Sequence, residues 1–296
     1  MKIRALVLDA ARELLYRKTL LFYFGIVTLV HLFLILALQT DVADGAITSI
    51  RVFGLEGRAS GGGFTLGDRA APATAGLTAA ALVQGIQIGI SFVLYPMGIL
   101  LAVFATSSLV PRMLEKGTID LMLAKPVSRP ALFAARYLGA LLVAGANLIY
   151  LVGGVGVILG LKTGFWNWGF ILSGLMMTAY FGALLGFLVL IGVLMRSTTI
   201  GLMMTTGIFI VSLVIRLPHA NSNWPMLLTS RTARFLAQGV VEVLYHALPR
   251  TFDVGQIASA LILHQPVLSW MPVVGTLGSG LAALGLAILY FRRIDF

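Results

Sequence analysis

The chain has 296 residues, of which 59% are hydrophobic and only 11% are charged. Soluble domains are about one quarter charged, so this composition excludes an ordinary soluble fold. The formal charge of +10 would indicate nucleic-acid binding in a soluble protein, but in a membrane protein Lys and Arg first report which loops are cytoplasmic.

The chain begins with an amphipathic segment. Within residues 1–18, apolar side chains at helical spacing occupy one face and charged side chains the other, which predicts a helix on the inner surface of the membrane. Charges run throughout this segment, so it does not have the pattern of a cleavable signal peptide.

Six long apolar stretches predict transmembrane helices, because a bilayer core of about 30 Å needs roughly 20 apolar residues per helix. The predicted fold is an all-α integral membrane protein, with residues 1–296 as a single transmembrane domain. With six spans both termini lie on one side, and most basic residues place that side in the cytoplasm. The predicted spans are 19–40, 82–110, 130–161, 167–194, 198–217 and 271–291.

The remaining segments are predicted connections. Residues 41–81 form an external loop; its glycine-rich stretch GRASGGGFTLGD lacks the pattern GxxxxGK[ST] of a phosphate-binding loop, so we predict a flexible chain. Residues 218–270 form a second external segment with half-helices, since Pro266 and Pro272 interrupt the apolar run 254–291 and leave a short half-helix near 254–264. Residues 292–296 form a cytoplasmic tail.

Charge is concentrated between the second and third spans, in PRMLEKGTIDLMLAKPVSR at 111–129. Pro111 ends the second span, Gly117 permits a tight turn, and Thr118 is a good N-cap for a short helix at 119–124 that Pro126 ends. This helix is too apolar for a solvated loop tip, which favours a docking site for another protein.

The run EKGTIDLMLAKPVSR at 115–129 resembles the cytoplasmic signature of type-2 ABC transporter permeases, roughly E-x-G-T-x-x-x-L-x-x-x-P-x-S-R. The chain is also similar to that family in its amphipathic N-terminal helix, six spans, external half-helices and basic tail FRRIDF. Pro130 and Arg136 depart from the family pattern, where a polar or acidic helix starter and a Gly-Lys pair are more common, which concerns only fine contacts.

The resemblance implies a transport subunit without a catalytic site, metal or cofactor of its own, in the cytoplasmic membrane of a prokaryote. It also implies a separate ABC ATPase in two copies, which binds ATP and Mg, and a second permease copy or a homologous permease. The external segments are candidates for substrate specificity or for binding an extracytoplasmic partner. The coupling residues that the resemblance implies are Glu115, Gly117, Thr118, Ile119, Leu121, Pro126 and Arg129.

Polar side chains within the spans are candidates for a translocation path. They are His31, Gln84, Gln87 and Asn147. An ionisable residue inside a span is a functional candidate, whereas packing and helix–helix hydrogen bonding are the alternative interpretation. The repeated sequence GLMMT, at 174–178 and 201–205, falls at different depths in spans four and five and therefore predicts packing, not a metal site.

Two other classes of protein remain as alternatives. A secondary transporter would be expected to contain buried charge and an inverted repeat, neither of which is detected. An intramembrane enzyme would need a serine or metal centre; Ser279 is the candidate serine, but HExxH and paired membrane carboxylates are absent from the sequence.

Overall fold

A computed structural model describes residues 7–8, 11–12, 18–43, 46–52, 55–60, 63–66, 78–108, 111, 129–220 and 231–293. Residues 7, 8, 11 and 12, within the predicted amphipathic segment, are helical. The described helices of five residues or more are, in chain order, α1 (Lys18–Ala37), α2 (Ala79–Thr106), α3 (Arg129–Thr163), α4 (Trp168–Met195), α5 (Thr198–Val214), α6 (Arg216–Ala220), α7 (Arg231–Ala247), α8 (Thr251–Ile262) and α9 (Met271–Arg293).

The predicted class, a helical membrane protein, is confirmed. Among the described residues, five helical stretches are long and apolar enough to cross a bilayer: Ala79–Thr106, Phe133–Thr163, Trp168–Met195, Thr198–His219 and Met271–Phe291. The apolar part of α1, Leu21–Ala37, is shorter, so the count of six spans stays a prediction.

Helix α4 is the centre of the bundle and packs against α3, α5, α8 and α9. Small residues bring the backbones of α4 and α9 into contact. A Cβ atom added to Gly186 would overlap the carbonyl oxygen of Gly280, and one added to Gly280 would overlap the backbone of Ala183. This close approach is the one that GxxxG-type spacing permits. By contrast, Gly85 and Gly89 face open space in the described chain.

The turn between α4 and α5 consists of two residues with complementary roles. Arg196 has a left-handed backbone (φ 50°), and its N–H donates to the carbonyl of Gly192, as is common where a helix ends. Ser197 then accepts from the N–H of Ile200 and caps the next helix. Helix α5 therefore reverses direction directly after α4.

Helix α8 lies antiparallel to the first half of α4. Its last residues lie at the start of α4, where Asn167 Nδ2 donates to the carbonyl of Ile262 (2.9 Å). Its first residue, Thr251, lies at the middle of α4, hydrogen-bonded to the hydroxyl of Tyr180. At 1.5 Å per residue α8 is about 18 Å long, so it covers only part of the length of α4.

The connection after α1 contains four strands, so the prediction of a flexible chain in its glycine-rich part was wrong for residues 57–60 and 63–66. The external position of the connection stays a prediction. The strands β1 (Leu38–Ala43), β2 (Ala46–Val52), β3 (Leu55–Ser60) and β4 (Gly63–Leu66) form an antiparallel sheet in sequence order. Leu38 pairs with Val52, and Gly57 with Leu66. The glycine-rich sequence of 41–66 does not predict strands, because such composition is typical of flexible segments as well.

Candidate functional site

A cavity of about 600 Å³ lies between α2, α4, α5 and α8. This volume is within the range of small-molecule sites. Its wall is mainly apolar, with hydrogen-bonding side chains at intervals, and no charged residue is among the described residues that line it. Its aromatic lining residues are Phe92, Tyr95, Tyr180, Phe209 and Phe252. Its other polar lining residues are Ser91, Thr251, Gln256, Ser259 and Gln265.

Two hydroxyl chains fix the wall of this cavity. Tyr95 on α2 contacts Ser173 on α4 (2.8 Å), and Ser173 donates onward to the carbonyl of Phe170 (2.7 Å). Because the Ser173 proton is already used, the Tyr95 hydroxyl must donate to Ser173. The second chain joins Tyr180 and Thr251 to Ser212, which donates to the carbonyl of Phe209 (2.9 Å). These bonds tie α2 to α4, and α4 to α5 and α8.

Ser91 lies one turn before Tyr95 on α2 and is 8% exposed. Its Oγ is buried within the wall, beside the Tyr95 hydroxyl that also contacts Ser173. The Ser91 hydroxyl therefore belongs to the packed interior of the wall and is not presented to the cavity.

The predicted path residues Gln84 and Gln87 lie beside the cavity, not on its described wall. Asn167 donates to Gln87 Oε1 (2.7 Å) and to Ile262, so this amide cluster joins α2, α4 and α8. The Gln84 amide contacts Nδ1 of His264 at 3.0 Å; since an amide nitrogen only donates, Nδ1 accepts. The geometry therefore gives both glutamines a role in joining helices.

The other two predicted path residues lie away from the cavity. His31 is buried between α1 and α3, where Nε2 donates to the carbonyl of Leu151 (3.2 Å) and its ring meets that of Tyr150 edge-on. Asn147 donates to the carbonyl of Val143 in its own helix (3.3 Å). A role for these four residues in a path stays a prediction.

The predicted coupling residues mostly lie outside the described residues; this holds for Glu115, Gly117, Thr118, Ile119, Leu121 and Pro126. Arg129 is the first residue of α3. On either side of this segment, α2 ends at Thr106 and α3 begins at Arg129.

Sequence reasoning missed an ion-pair network at the start of α8. Asp253 is 7% exposed; its carboxylate lies 3.1 Å from Arg216 Nε and accepts from the hydroxyl of Tyr245 (2.7 Å). His219 stacks on Tyr245, with ring centroids 3.7 Å apart, and also contacts Glu242 at 3.1 Å. Burial and the bond to Asp253 raise the pKa of the Tyr245 hydroxyl above its ordinary value.

A signal for this network was present in the sequence. Asp253 is the acidic residue in the first turn of an otherwise apolar helix, a position that the helix dipole favours. Its partner could not be identified from sequence, because Arg216, at the end of the predicted span 198–217, and Arg250, in the predicted external segment, are equally plausible partners.

The fold defines a multi-pass α-helical membrane protein, with a cavity among its described helices whose described lining carries no charge. A family model described as "ABC-2 family transporter protein" matches residues 24–296. The chain therefore belongs to this family of transport proteins, which confirms the resemblance seen in the sequence. Comparisons with curated proteins and with solved structures gave no match.

Proposed function

We propose that this protein is the permease subunit of an ABC transporter and moves a substrate across the cytoplasmic membrane. The family match over residues 24–296 carries the proposal. The sequence contains no GxxxxGK[ST] motif, which supports nucleotide binding on a separate chain. In this proposal the partner ATPase holds ATP and Mg, and its hydrolysis drives the movement of the helices.

The ATPase docks on the segment 111–129. Support comes from the sequence match at Glu115, Gly117 and Thr118, and from the position of the segment between α2 and α3. Motion of the segment would be transmitted to α2, which lines the cavity, and to α3, which packs on α4. Two ATPases and two permease subunits complete the transporter, with both termini of this chain in the cytoplasm.

Part of the translocation path is assigned to the cavity between α2, α4, α5 and α8. Three of the four helices that form its walls, α2, α4 and α5, run the length of the bundle. Its volume is within the range of small-molecule sites. A change in the angle of α2 relative to α4 would change the width of the cavity. In this proposal, the substrate moves across the membrane as the cavity opens and closes.

Affinity purification in mild detergent from the native host tests the proposal. We expect an ATPase to copurify in a stoichiometric amount, and to be lost when Glu115 is replaced by Ala. Glu56→Ala, which removes a carboxylate from β3 instead, is the matched control and should keep the ATPase. A stable chain that copurifies with no nucleotide-dependent partner would overturn the proposal and favour a secondary transporter.

A further inference from the structure

We propose that Pro96 is a hinge within α2, and that the part of α2 after Pro96 swings to widen and narrow the cavity. The inference rests on the proposed function, since it names how motion of the segment 111–129 reaches the cavity. It differs from a tilt of the whole helix, because the part of α2 before Pro96 stays attached to its neighbours.

Pro96 weakens α2 at one point while the helix continues on both sides. Helix α2 runs from Ala79 to Thr106 with Pro96 inside it. Proline has no N–H, so the carbonyl of Phe92, four residues earlier, receives no hydrogen bond from position 96, and the proline ring crowds the same carbonyl. Sharp bends in helices occur at such positions. Bending α2 at Pro96 therefore breaks no intrahelical hydrogen bond at that position.

Side-chain hydrogen bonds fix the part of α2 before Pro96. Asn167, which precedes α4, donates to Gln87 at 2.7 Å. One residue before Pro96, the hydroxyl of Tyr95 contacts that of Ser173 on α4 at 2.8 Å. Both pairs are buried, and breaking a buried hydrogen bond leaves its groups unsatisfied, which is costly. This part of α2 therefore keeps its position relative to α4.

The part of α2 after Pro96 has contacts of a different kind. The hydroxyls of Thr106 and Ser107 donate to carbonyls one turn earlier in α2 itself. Gly98 lets the ring of Tyr23 from α1 pack directly on the backbone of α2, since a Cβ at Gly98 would overlap that ring. Packed helices slide past one another by small amounts, so these contacts allow this part to move.

The hinge lies in the wall of the cavity. Pro96 lines the cavity, and so does Ile99, one turn later. Met177 on α4 and Phe209 on α5 line the same space. A swing of the part after Pro96 carries Ile99 toward or away from these two side chains. Motion of the segment 111–129, which follows α2 in the chain, thus changes the width of the cavity at Ile99.

Distances between pairs of spin labels test the hinge. The chain has no cysteine, so labels attach only where one is introduced. Phe104→Cys with Leu194→Cys forms the pair after the hinge, and Gly85→Cys with Leu172→Cys forms the pair before it. The three native side chains are at least 45% exposed, and a Cβ at Gly85 would meet nothing within 4 Å.

Pulsed EPR measures both pairs in nanodiscs with the ATPase bound, the labelled chain being diluted into unlabelled wild type. Phe104 lies about 12 Å beyond Pro96, at 1.5 Å per residue, so a bend of about 20° moves it by about 4 Å. We expect the pair after the hinge to change by about 4 Å between the nucleotide-free and the vanadate-trapped complex. The pair before the hinge should change by less than ~1 Å, because that part of α2 does not swing.

Pro96→Ala restores the missing N–H and should at least halve the change in the pair after the hinge. The matched control is Pro272→Ala. Pro272 lies in the first turn of α9, where a proline interrupts no hydrogen bond, so this variant should leave both distances as in wild type.

Three outcomes would overturn the inference. Equal changes in the two pairs would mean that α2 tilts as a rigid helix. The second is an unchanged distance after the hinge in a complex that hydrolyses ATP. The third is a full change that persists in Pro96→Ala. If Pro96→Ala does not elute as a single species, the two pairs in the wild-type background still decide between a hinge and a rigid tilt.

Failure of this inference and failure of the proposed function are distinguishable. In the chain alone, the distance distribution after the hinge should be at least ~2-fold broader than the one before it, and should narrow in Pro96→Ala. If no ATPase copurifies while this narrowing is seen, the transporter assignment fails and the hinge stands. If the ATPase copurifies while Pro96→Ala has no effect on the distances, the hinge alone fails.

Discussion

The carboxylate of Asp253 lies 3.1 Å from Nε of Arg216, which joins the first turn of α8 to the helix that follows α5. Tyr245 donates to the second oxygen of the same carboxylate, so three helical segments meet at one side chain. Because α8 supplies one wall of the cavity, this junction holds the wall in place.

Asp253→Asn should destabilise the protein by about 1–3 kcal/mol, since it leaves the partly buried guanidinium of Arg216 without a counter-charge. Thermal unfolding of the purified chain in detergent measures the change. The double variant Arg216→Gln with Asp253→Asn should recover part of the loss, because neither charge is then unpaired. Additive losses in the double variant would contradict the pairing.

Tyr245→Phe should cost about 1 kcal/mol, the value of one hydrogen bond. The folded pKa of Tyr245 is raised by burial and by Asp253, so folding favours the protonated hydroxyl. This contribution is fully present below the unfolded pKa of about 10 and is lost as the pH rises through the higher folded value.

The stability difference between wild type and Tyr245→Phe should therefore be constant from about pH 6 to pH 9 and shrink only in more alkaline solution. Thermal unfolding across this series checks it. A difference that already shrinks between pH 6 and pH 8 would assign the effect to another group, such as His219, which stacks on the same ring.

Lys162 is a further long-range tie that can be tested by substitution. Its ammonium, at the end of α3, donates to the carbonyls of Ile35 (2.8 Å) and Leu38, which belong to the last turn of α1 and the residue after it. Terminal carbonyls of a helix lack intrahelical partners. Lys162→Met should therefore cost about 1–2 kcal/mol, as for a charged hydrogen-bond donor.

The control for this position is Lys162→Arg, which keeps a charged donor and should stay close to wild type in thermal unfolding. Equal losses for Met and Arg would show that side-chain shape, not the bonds to the carbonyls, is the stabilising feature.

The contact between α4 and α9 can be tested with two glycines on the same helix. Gly280→Val places a side chain into the backbone of Ala183, whereas Gly278→Val meets nothing within 4 Å. Overpacking costs about 1–3 kcal/mol and more where the backbone must move. Gly280→Val should therefore lower the yield of monodisperse protein in size-exclusion chromatography, while Gly278→Val elutes as wild type does.

The sequence predicted the all-α membrane class because its long charge-free apolar runs match the roughly 20 residues that a helix needs to cross a bilayer. Asn167 and Ser197 precede α4 and α5, and each caps its helix as such residues commonly do. The strands at 38–66 were not predicted, since glycine-rich polar sequence is equally typical of a loop. Their backbone pairing, such as Leu38 with Val52, depends on a register that composition does not fix.

The candidate site was less predictable than the fold. Gln84 and Gln87 were found because polar residues are rare in spans, but their partners His264 and Asn167 come from distant segments. The hydroxyl pair Tyr95 and Ser173 carried no signal in the sequence either, because the two residues lie 78 positions apart. Only the arrangement of helices brings them together.

Asn167→Asp separates two roles of one side chain. Asn167 Oδ1 caps α4 by accepting from the N–H of Phe170, and its Nδ2 donates to Gln87 and Ile262. Aspartate caps helices as well as asparagine does, but it cannot donate. Gln87 can turn its amide to adapt, whereas the carbonyl of Ile262 cannot, so a buried negative charge would face an acceptor.

We expect Asn167→Asp to lose at least about 2 kcal/mol in thermal unfolding, because it buries a charge and breaks the tie between α4 and α8. The matched control is Ser197→Asp, at a cap whose side chain accepts from Ile200 N. Because the side chain at position 197 only accepts a hydrogen bond, Ser197→Asp should leave the thermal stability unchanged or raise it. Equal behaviour of the two variants would mean that Asn167 acts as a cap alone and that α8 is held by Asp253.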